Sequence, residues 1–169
     1  MTEHFETCYL IAYPDPASPL GKALRARGAW QATLKGAAIP ADLGYLSGAP
    51  WTCGWGSTGP DIVEGIVWTQ AHADSQLTIR LDEAADVVDR LVKVVLTPAQ
   101  KAALVDFTYN EGEGHLASST LLKLLNAGNY QSCADGLLEW DMAGGEKLPG
   151  LDARRHANRT LFLTGAWQP

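Results

Sequence analysis

Glu6-Thr-Cys-Tyr-Leu-Ile-Ala-Tyr-Pro-Asp15-Pro16 is the stretch on which the reading of the fold turns, together with Pro50-Trp-Thr52-Cys-Gly-Trp-Gly56 further on. Residues 2–12 predict a short helix that ends before Pro14, because the residue preceding a proline is pushed out of helical geometry. Glu6 then stands at a helix end, Asp15 in the following turn, and Thr52 just before a glycine-rich corner. Such a set can line one groove. Two carboxyl groups facing each other across a groove are what cleavage of a glycosidic bond requires.

Outward from this stretch the chain changes character twice. Residues 13–68 carry Pro14, Pro16, Pro19, Pro40, Pro50 and Pro60 among many glycines. They read as turns, short strands and one or two short helices, with Leu20–Arg27 one candidate. A loop region of this length in a compact domain usually carries function. From Thr69, the residues Leu77, Leu81, Ala84, Val88, Leu91 and Val95 recur at intervals of four and three. That pattern predicts one helix over 69–92 with a single apolar stripe. Such a helix reaches roughly 35 Å, enough to join two lobes. Its pattern lasts too few heptads for a coiled coil.

Thr97-Pro98-Ala-Gln100 predicts a capped helix start, with a helix over 98–110 that turns Ala103, Leu104, Phe107 and Tyr109 inward. Ser118 or Ser119 caps a helix ending near Gly128, and Asn129 caps another through Trp140. A loop over 143–150 precedes a last helix from about 151 to Leu163, stopped by Gly165. The expected fold class is α+β, mostly helical. It has a small turn- and strand-rich lobe (13–68), a long connecting helix (69–92) and an all-helical lobe (93–169), in one domain spanning 1–169.

The chain has 169 residues, 46% hydrophobic, enough to bury about 70% of its unfolded surface. A formal charge of −6 argues against nucleic acid as a partner. Cys8, Cys53 and Cys133 show neither zinc spacing nor a disulfide framework and read as reduced thiols, a Cys8–Cys53 lock being the remote alternative. His4, His72, His115 and His156 are scattered, so no metal site and no cofactor is expected. Cys8–Tyr13 is too short for a signal or a membrane span.

Singly, Glu6 reads as a solvated helix residue, Asp15 as a turn former and Thr52 as a strand residue. In context they say more. Glu-x3-Leu-x-Ala-Tyr-x-Asp-Pro, followed by Pro-Trp-Thr-x-Gly-x-Gly-x-Thr, resembles the active-site signature of the phage-type lysozymes, glycoside hydrolase family 24. The stretches Ala17–Leu24, Leu46–Thr52, Gly65–Thr69, Ala103–Asn110, Ser118–Gly128 and Leu148–Arg155 are similar to its prophage branch. The resemblance covers nearly the whole chain.

The resemblance implies Glu6 as general acid, with Asp15 and Thr52 as its catalytic partners. It implies Arg154 as a brace for the acid and Asn110 as a substrate-binding residue from the helical lobe. The plainer readings are an exposed arginine at a helix start for Arg154 and a helix C-terminal cap for Asn110. Thr7 departs from the glycine that usually follows the acid. Asn158 stands where an acidic residue is common, and Cys53 and Trp55 replace the usual Ile and Tyr. The implied substrate is the β-1,4 bond between N-acetylmuramic acid and N-acetylglucosamine, cleaved with inversion. Burial would raise the pKa of Glu6 and a braced Arg154 would lower it. Asp15 favours hydrolysis over transglycosylation. The alternatives are a lytic transglycosylase, a chitin-acting glycosidase, or a non-catalytic wall-binding relative. The negative charge favours the last, since peptidoglycan is itself anionic. The resemblance further implies a monomer made in the host cytoplasm that acts in the periplasm, with a holin pore as its way out.

Overall fold

The computed structural model describes residues 1–168. The chain divides into two compact units, Glu6–Thr78 and a helical unit of Met1–Phe5 with Ile79–Pro169.

The first unit is built on a three-stranded antiparallel sheet, β1 (Tyr9–Pro14), β2 (Trp51–Gly54) and β3 (Ser57–Thr58), in that spatial order. Residues 2–12 are therefore not one helix. The helix α1 stops after Thr2–Phe5, and Tyr9–Pro14 is a strand. The residues explain the correction. Tyr, Ile and Tyr alternate with Leu, Ala and Pro, a period of two in β-favouring side chains. Ala12 and Pro14 are buried. On the other edge of β1, the Ala12 N–H donates to the Ile66 carbonyl and the Trp68 N–H to the Leu10 carbonyl, at 2.9 and 2.8 Å.

Between β1 and β2 the chain makes an excursion through α2 (Pro19–Ala26), α3 (Trp30–Leu34) and a 3-10 turn (Ala41–Leu43). Ser18 caps α2 by accepting from the Gly21 N–H at 2.9 Å, with Pro19 at the first helical position. Leu20, Leu24 and Leu43 join Ala12, Trp51, Cys53 and Ile62 in this unit's core.

The helix α4 spans Gln70–Leu91, within two residues of the expected bounds, and Thr69 accepts from the His72 N–H at its start. Its stripe buries Leu77, Ala84 and Val88, along with Ala73. Val95, expected on the stripe, lies beyond the helix end and is 88% exposed.

In the helical unit follow α5 (Pro98–Glu111), α6 (Glu113–Ser118), α7 (Thr120–Asn126), α8 (Tyr130–Gly136), a 3-10 turn (Leu137–Glu139) and α9 (Pro149–Thr164). Thr97 and Gln100 form the full capping box expected of them. Ser119 and Asn129 cap α7 and α8. The helix expected through Trp140 ends at Gly136 and tightens into the 3-10 turn. The stretch expected as a loop over 143–150 holds a hairpin, β4 (Met142–Ala143) with β5 (Glu146–Lys147). Its turn, Gly144-Gly145, has φ of 61° and 85°, the left-handed pair that a two-residue hairpin turn demands. Ala103, Leu104, Phe107, Leu116, Leu125, Leu137 and Phe162 form the core of this unit, and α5 packs along α9.

Candidate active site

Glu6 is the first residue after α1, and Asp15 the first after β1. Both are half-buried, as is Thr52 on β2. The β1–β2 register pairs Tyr13 with Thr52 and Pro14 with Trp51. Residues paired across an antiparallel ladder present their side chains on the same face. Tyr13 and Thr52 are such a pair, so their side chains lie side by side on one face of the sheet. Asp15 follows directly, its N–H donating to the Gly48 and Pro50 carbonyls, each at 2.9 Å.

The Asp15 carboxylate is fixed by its own turn. Oδ1 accepts from the Ala17 N–H at 2.5 Å and from the Ser18 N–H at 3.1 Å. The Asp15 carbonyl accepts from the Ser18 hydroxyl at 2.6 Å. The turn-forming role of Asp15 is thus present, and it orients the carboxylate. Gly21 makes the arrangement possible, because a β-carbon there would overlap the Asp15 carbonyl oxygen and come within 2.9 Å of Pro16 Cα.

The glycine-rich corner lies close to Glu6. Gly56 has φ of +91°, and a β-carbon at Gly56 would lie 3.8 Å from Glu6 Oε2. Gly54 is equally required, since a β-carbon would come within 2.8 Å of the Trp68 ring. Trp55, between them, donates its indole N–H to Asp74 Oδ1 at 2.8 Å.

Tyr13 is paired with Thr52 and adjoins Asp15 through Pro14, and its place here was not read from the sequence. Burial pushes its phenol above the ordinary tyrosine value; the neighbouring Thr52 hydroxyl opposes this, and nearby charge, including that of Glu6, adds to the rise. Its ring also meets Tyr9 and Trp30 edge-on, at 5.2 and 6.2 Å between centroids. Period-two spacing from Tyr9 was the available signal.

The helical unit holds a second constellation. Arg154 Nε donates to Asp106 Oδ2 at 2.9 Å, and its terminal nitrogen to Oδ1 at 3.0 Å. Both side chains are almost fully buried, so Arg154 is not the exposed arginine of the plainer reading. The Thr2 hydroxyl and the Asn158 amide also donate to Asp106, at 2.7 and 2.9 Å. The Arg154 guanidinium lies 5.6 Å from the ring of Phe5, the residue preceding Glu6.

Arg155 is wholly buried beside it. It donates to the Trp140 carbonyl at 3.0 Å, to Asn158 Oδ1 at 3.1 Å, and to Asn110 and Glu111. Asn110 is therefore no helix cap. It lies inside α5, whose cap is Gly112 with φ of +85°, and its carbonyl oxygen serves Arg155. Two arginines face two carboxylates, and among the described residues no buried side-chain polar atom lacks a partner. That completeness is the condition under which a buried polar network is tolerated.

Among the described residues no group of three His, Cys, Asp or Glu side chains is placed to hold a metal ion, and no helix is long and apolar enough to cross a membrane. The three cysteines are free thiols. Burial pushes Cys133 up to about 12, which makes it inert.

Compared with known proteins, residues 37–158 match the phage lysozyme family. The chain belongs to the phage lysozyme family. The matched stretch contains Thr52, Asn110 and Arg154 and begins after Glu6 and Asp15. The chain is 46% identical over 115 residues to the endolysin of Bacillus phage B103, covering 68% of the chain and 44% of that protein. It is 35% identical over 115 residues to the SAR-endolysin of Enterobacteria phage PA-2, covering 68% and 70%. The chain spans less than two thirds of the length of the first two curated relatives it matches, 44% and 66%. Among solved structures it is similar to the muramidase domain of SpmX from Asticaccaulis excentricus. The TM-score is 0.72 at 25% identity, covering 96% of the chain and 92% of that domain. A mutant of P22 lysozyme follows with a TM-score of 0.67 at 28% identity and the same coverage. These neighbours agree with the mostly helical α+β class expected of the chain.

Proposed function

We propose that the chain is an endolysin that hydrolyses the β-1,4 bond between N-acetylmuramic acid and N-acetylglucosamine of peptidoglycan. The observation that carries this is the strand register that sets Thr52 beside the turn-fixed Asp15 carboxylate, with Glu6 at the Gly56 corner, in a member of the phage lysozyme family.

Glu6 donates a proton to the leaving glycosidic oxygen. Asp15 accepts a proton from a water that the Thr52 hydroxyl helps to orient on the opposite face of the sugar. The water adds as the bond breaks, and the configuration inverts. Positioned proton transfer of this kind is worth about 10²–10⁴-fold in rate. Arg154 acts as the brace of the acid, supported by its anchoring on Asp106 and its proximity to Phe5. Asn110 contributes its amide N–H to substrate while its carbonyl oxygen stays with Arg155. No cofactor takes part. The protein works as a monomer on the periplasmic wall, made in the host cytoplasm and released through a holin pore.

Clearing of purified Gram-negative peptidoglycan tests the assignment. Glu6→Gln is expected to abolish it, and equal rates for the two proteins would dispose of the proposal. Mass spectrometry of the products separates hydrolysis from transglycosylation, since a reducing end marks the first and a 1,6-anhydro end the second. The anomer released from a defined muropeptide reports inversion.

A further inference from the structure

The excursion between Asp15 and Thr52 carries a charge unlike the rest of the chain. Residues 16–50 hold Lys22, Arg25, Arg27 and Lys35 against a single acidic residue, Asp42, a formal +3. The whole chain is −6, so everything outside the excursion amounts to −9. Arg27 and Asp42 satisfy each other in an exposed pair. Lys22, Arg25 and Lys35 are exposed and make no ion pair among the described residues.

These cations are not scattered. Lys22 and Arg25 stand three residues apart on the exposed face of α2, opposite buried Leu20, Gly21 and Leu24. The Arg25 guanidinium lies over the Trp30 ring, 4.9 Å from its centroid. A stacked guanidinium is held in place while its in-plane N–H donors stay available to an anion. Trp30 meets Tyr13 edge-on, and Tyr13 is the cross-strand partner of Thr52. The two ends of the excursion are fastened together by the Asp15 N–H to the Gly48 and Pro50 carbonyls and by the Leu20 N–H to the Ser47 carbonyl at 3.0 Å. One contiguous path thus leads from Thr52 to a cationic helix face.

We propose that this face, with Lys22 and Arg25 as its principal cations and Lys35 in support, docks the carboxylates of the peptide stems borne by a peptidoglycan strand. The proposal rests on the substrate assigned above. It gives an otherwise anionic protein a local attraction for an anionic polymer next to the groups that act on it. Such complementarity governs capture and orientation more than the chemical step.

Equilibrium binding to Gram-negative sacculi, measured with the Glu6→Gln protein so that substrate is not consumed, tests it. The two proposals fail separately, because activity of Glu6→Gln decides the reaction and this binding decides the docking. Adding Lys22→Gln, Arg25→Gln and Lys35→Gln is expected to weaken binding to intact sacculi about tenfold at low salt and to flatten its salt dependence. After an amidase strips the stems, the parent protein is expected to bind as weakly as the triple variant. Equal affinities of parent and triple variant for intact sacculi would overturn the proposal. So would an equal loss on stem-free glycan, or a loss seen only on walls bearing phosphate polymers, which would assign the cations to phosphate. Each single substitution shifts affinity in the same direction by a smaller factor, so a triple variant that fails to fold leaves the test intact.

Discussion

Arg154 and Asp106 face each other across α9 and α5 in a two-point pair, with side chains only 3% and 2% exposed. Asp106 also receives Thr2 and Asn158, so one carboxylate holds the start of the chain, the middle of α5 and the middle of α9. Removing it leaves a buried guanidinium without its partner, which costs about 3–5 kcal/mol. Asp106→Ala is expected to lower the thermal midpoint by about 6–20 °C, at about 2–4 °C per kcal/mol for a chain of this size. Calorimetry with a Thr2→Val comparison checks this. Thr2→Val removes one neutral donor, with an expected loss of about 1–2 kcal/mol.

The same carboxylate sets a pH dependence. Burial alone would raise the Asp106 pKa, but the hydrogen bonds and charge of Arg154, with Thr2 and Asn158, outweigh it and hold the group below the ordinary carboxylate value. A lowered native pKa means that the unfolded chain takes up the proton first. The stabilisation is therefore complete above the unfolded value of about 3.9 and is lost as pH falls through the lower native value. The stability difference between the wild type and Asp106→Asn is expected to stay flat from neutrality to about pH 5 and to shrink below about pH 4. Urea titrations across that range measure it, and a difference that began to close near pH 7 would count against this origin.

The legibility of the chain followed the strength of local rules. The capping box at Thr97, the caps at Ser119 and Asn129, and the extent of α4 rest on spacing and capping chemistry that hold wherever the chain goes. Tyr9–Pro14 failed as a helix because a six-residue apolar run satisfies either period, and Pro14 ends a helix and suits an extended residue alike. Gly144-Gly145 carried its hairpin signal openly, but two-residue strands have too little pattern around the turn to announce themselves. At the candidate site, Asp15 and Thr52 lie 37 positions apart in sequence, yet Pro14 pairs with Trp51, so only the strand register brings them together. Asp106, Asn158 and Arg155 gave no local cue, because a buried polar network is a property of helix packing.

Tyr13 offers a test of the site that does not touch an assigned catalytic group. Tyr13→Phe keeps the ring against Tyr9 and Trp30 and removes the hydroxyl of the residue paired with Thr52 across the strands. A neutral hydrogen bond contributes about 0.5–1.5 kcal/mol. If Thr52 depends on it for orientation, kcat is expected to fall about 3–10-fold with KM nearly constant and stability lowered by a similar small amount. Restoration of the rate by the unmodified hydroxyl alone, and not by other residues at position 13, would confirm orientation as the cause. A variant with unchanged kcat would show that Thr52 is held by other means.

Gly21 and Gly114 make opposite predictions from the same substitution. In both helices alanine favours the helical backbone by up to about 1 kcal/mol over glycine. At Gly114 in α6 a β-carbon meets nothing within 4 Å, so Gly114→Ala is expected to stabilise by about 0.4–1 kcal/mol without affecting the rate. At Gly21 the β-carbon would run into the backbone of Asp15 and Pro16, which cannot rotate aside as a side chain could. The turn that aims the Asp15 carboxylate must then shift, at a cost of about 1–3 kcal/mol. Gly21→Ala is expected to lower both thermal stability and kcat, while Gly28→Ala, at a positive φ of 70° with open space around it, lowers stability alone. Denaturant titrations and turnover of the three variants separate backbone strain from displacement of the carboxylate. A Gly21→Ala protein with wild-type turnover would mean that Asp15 does not need its present turn to work.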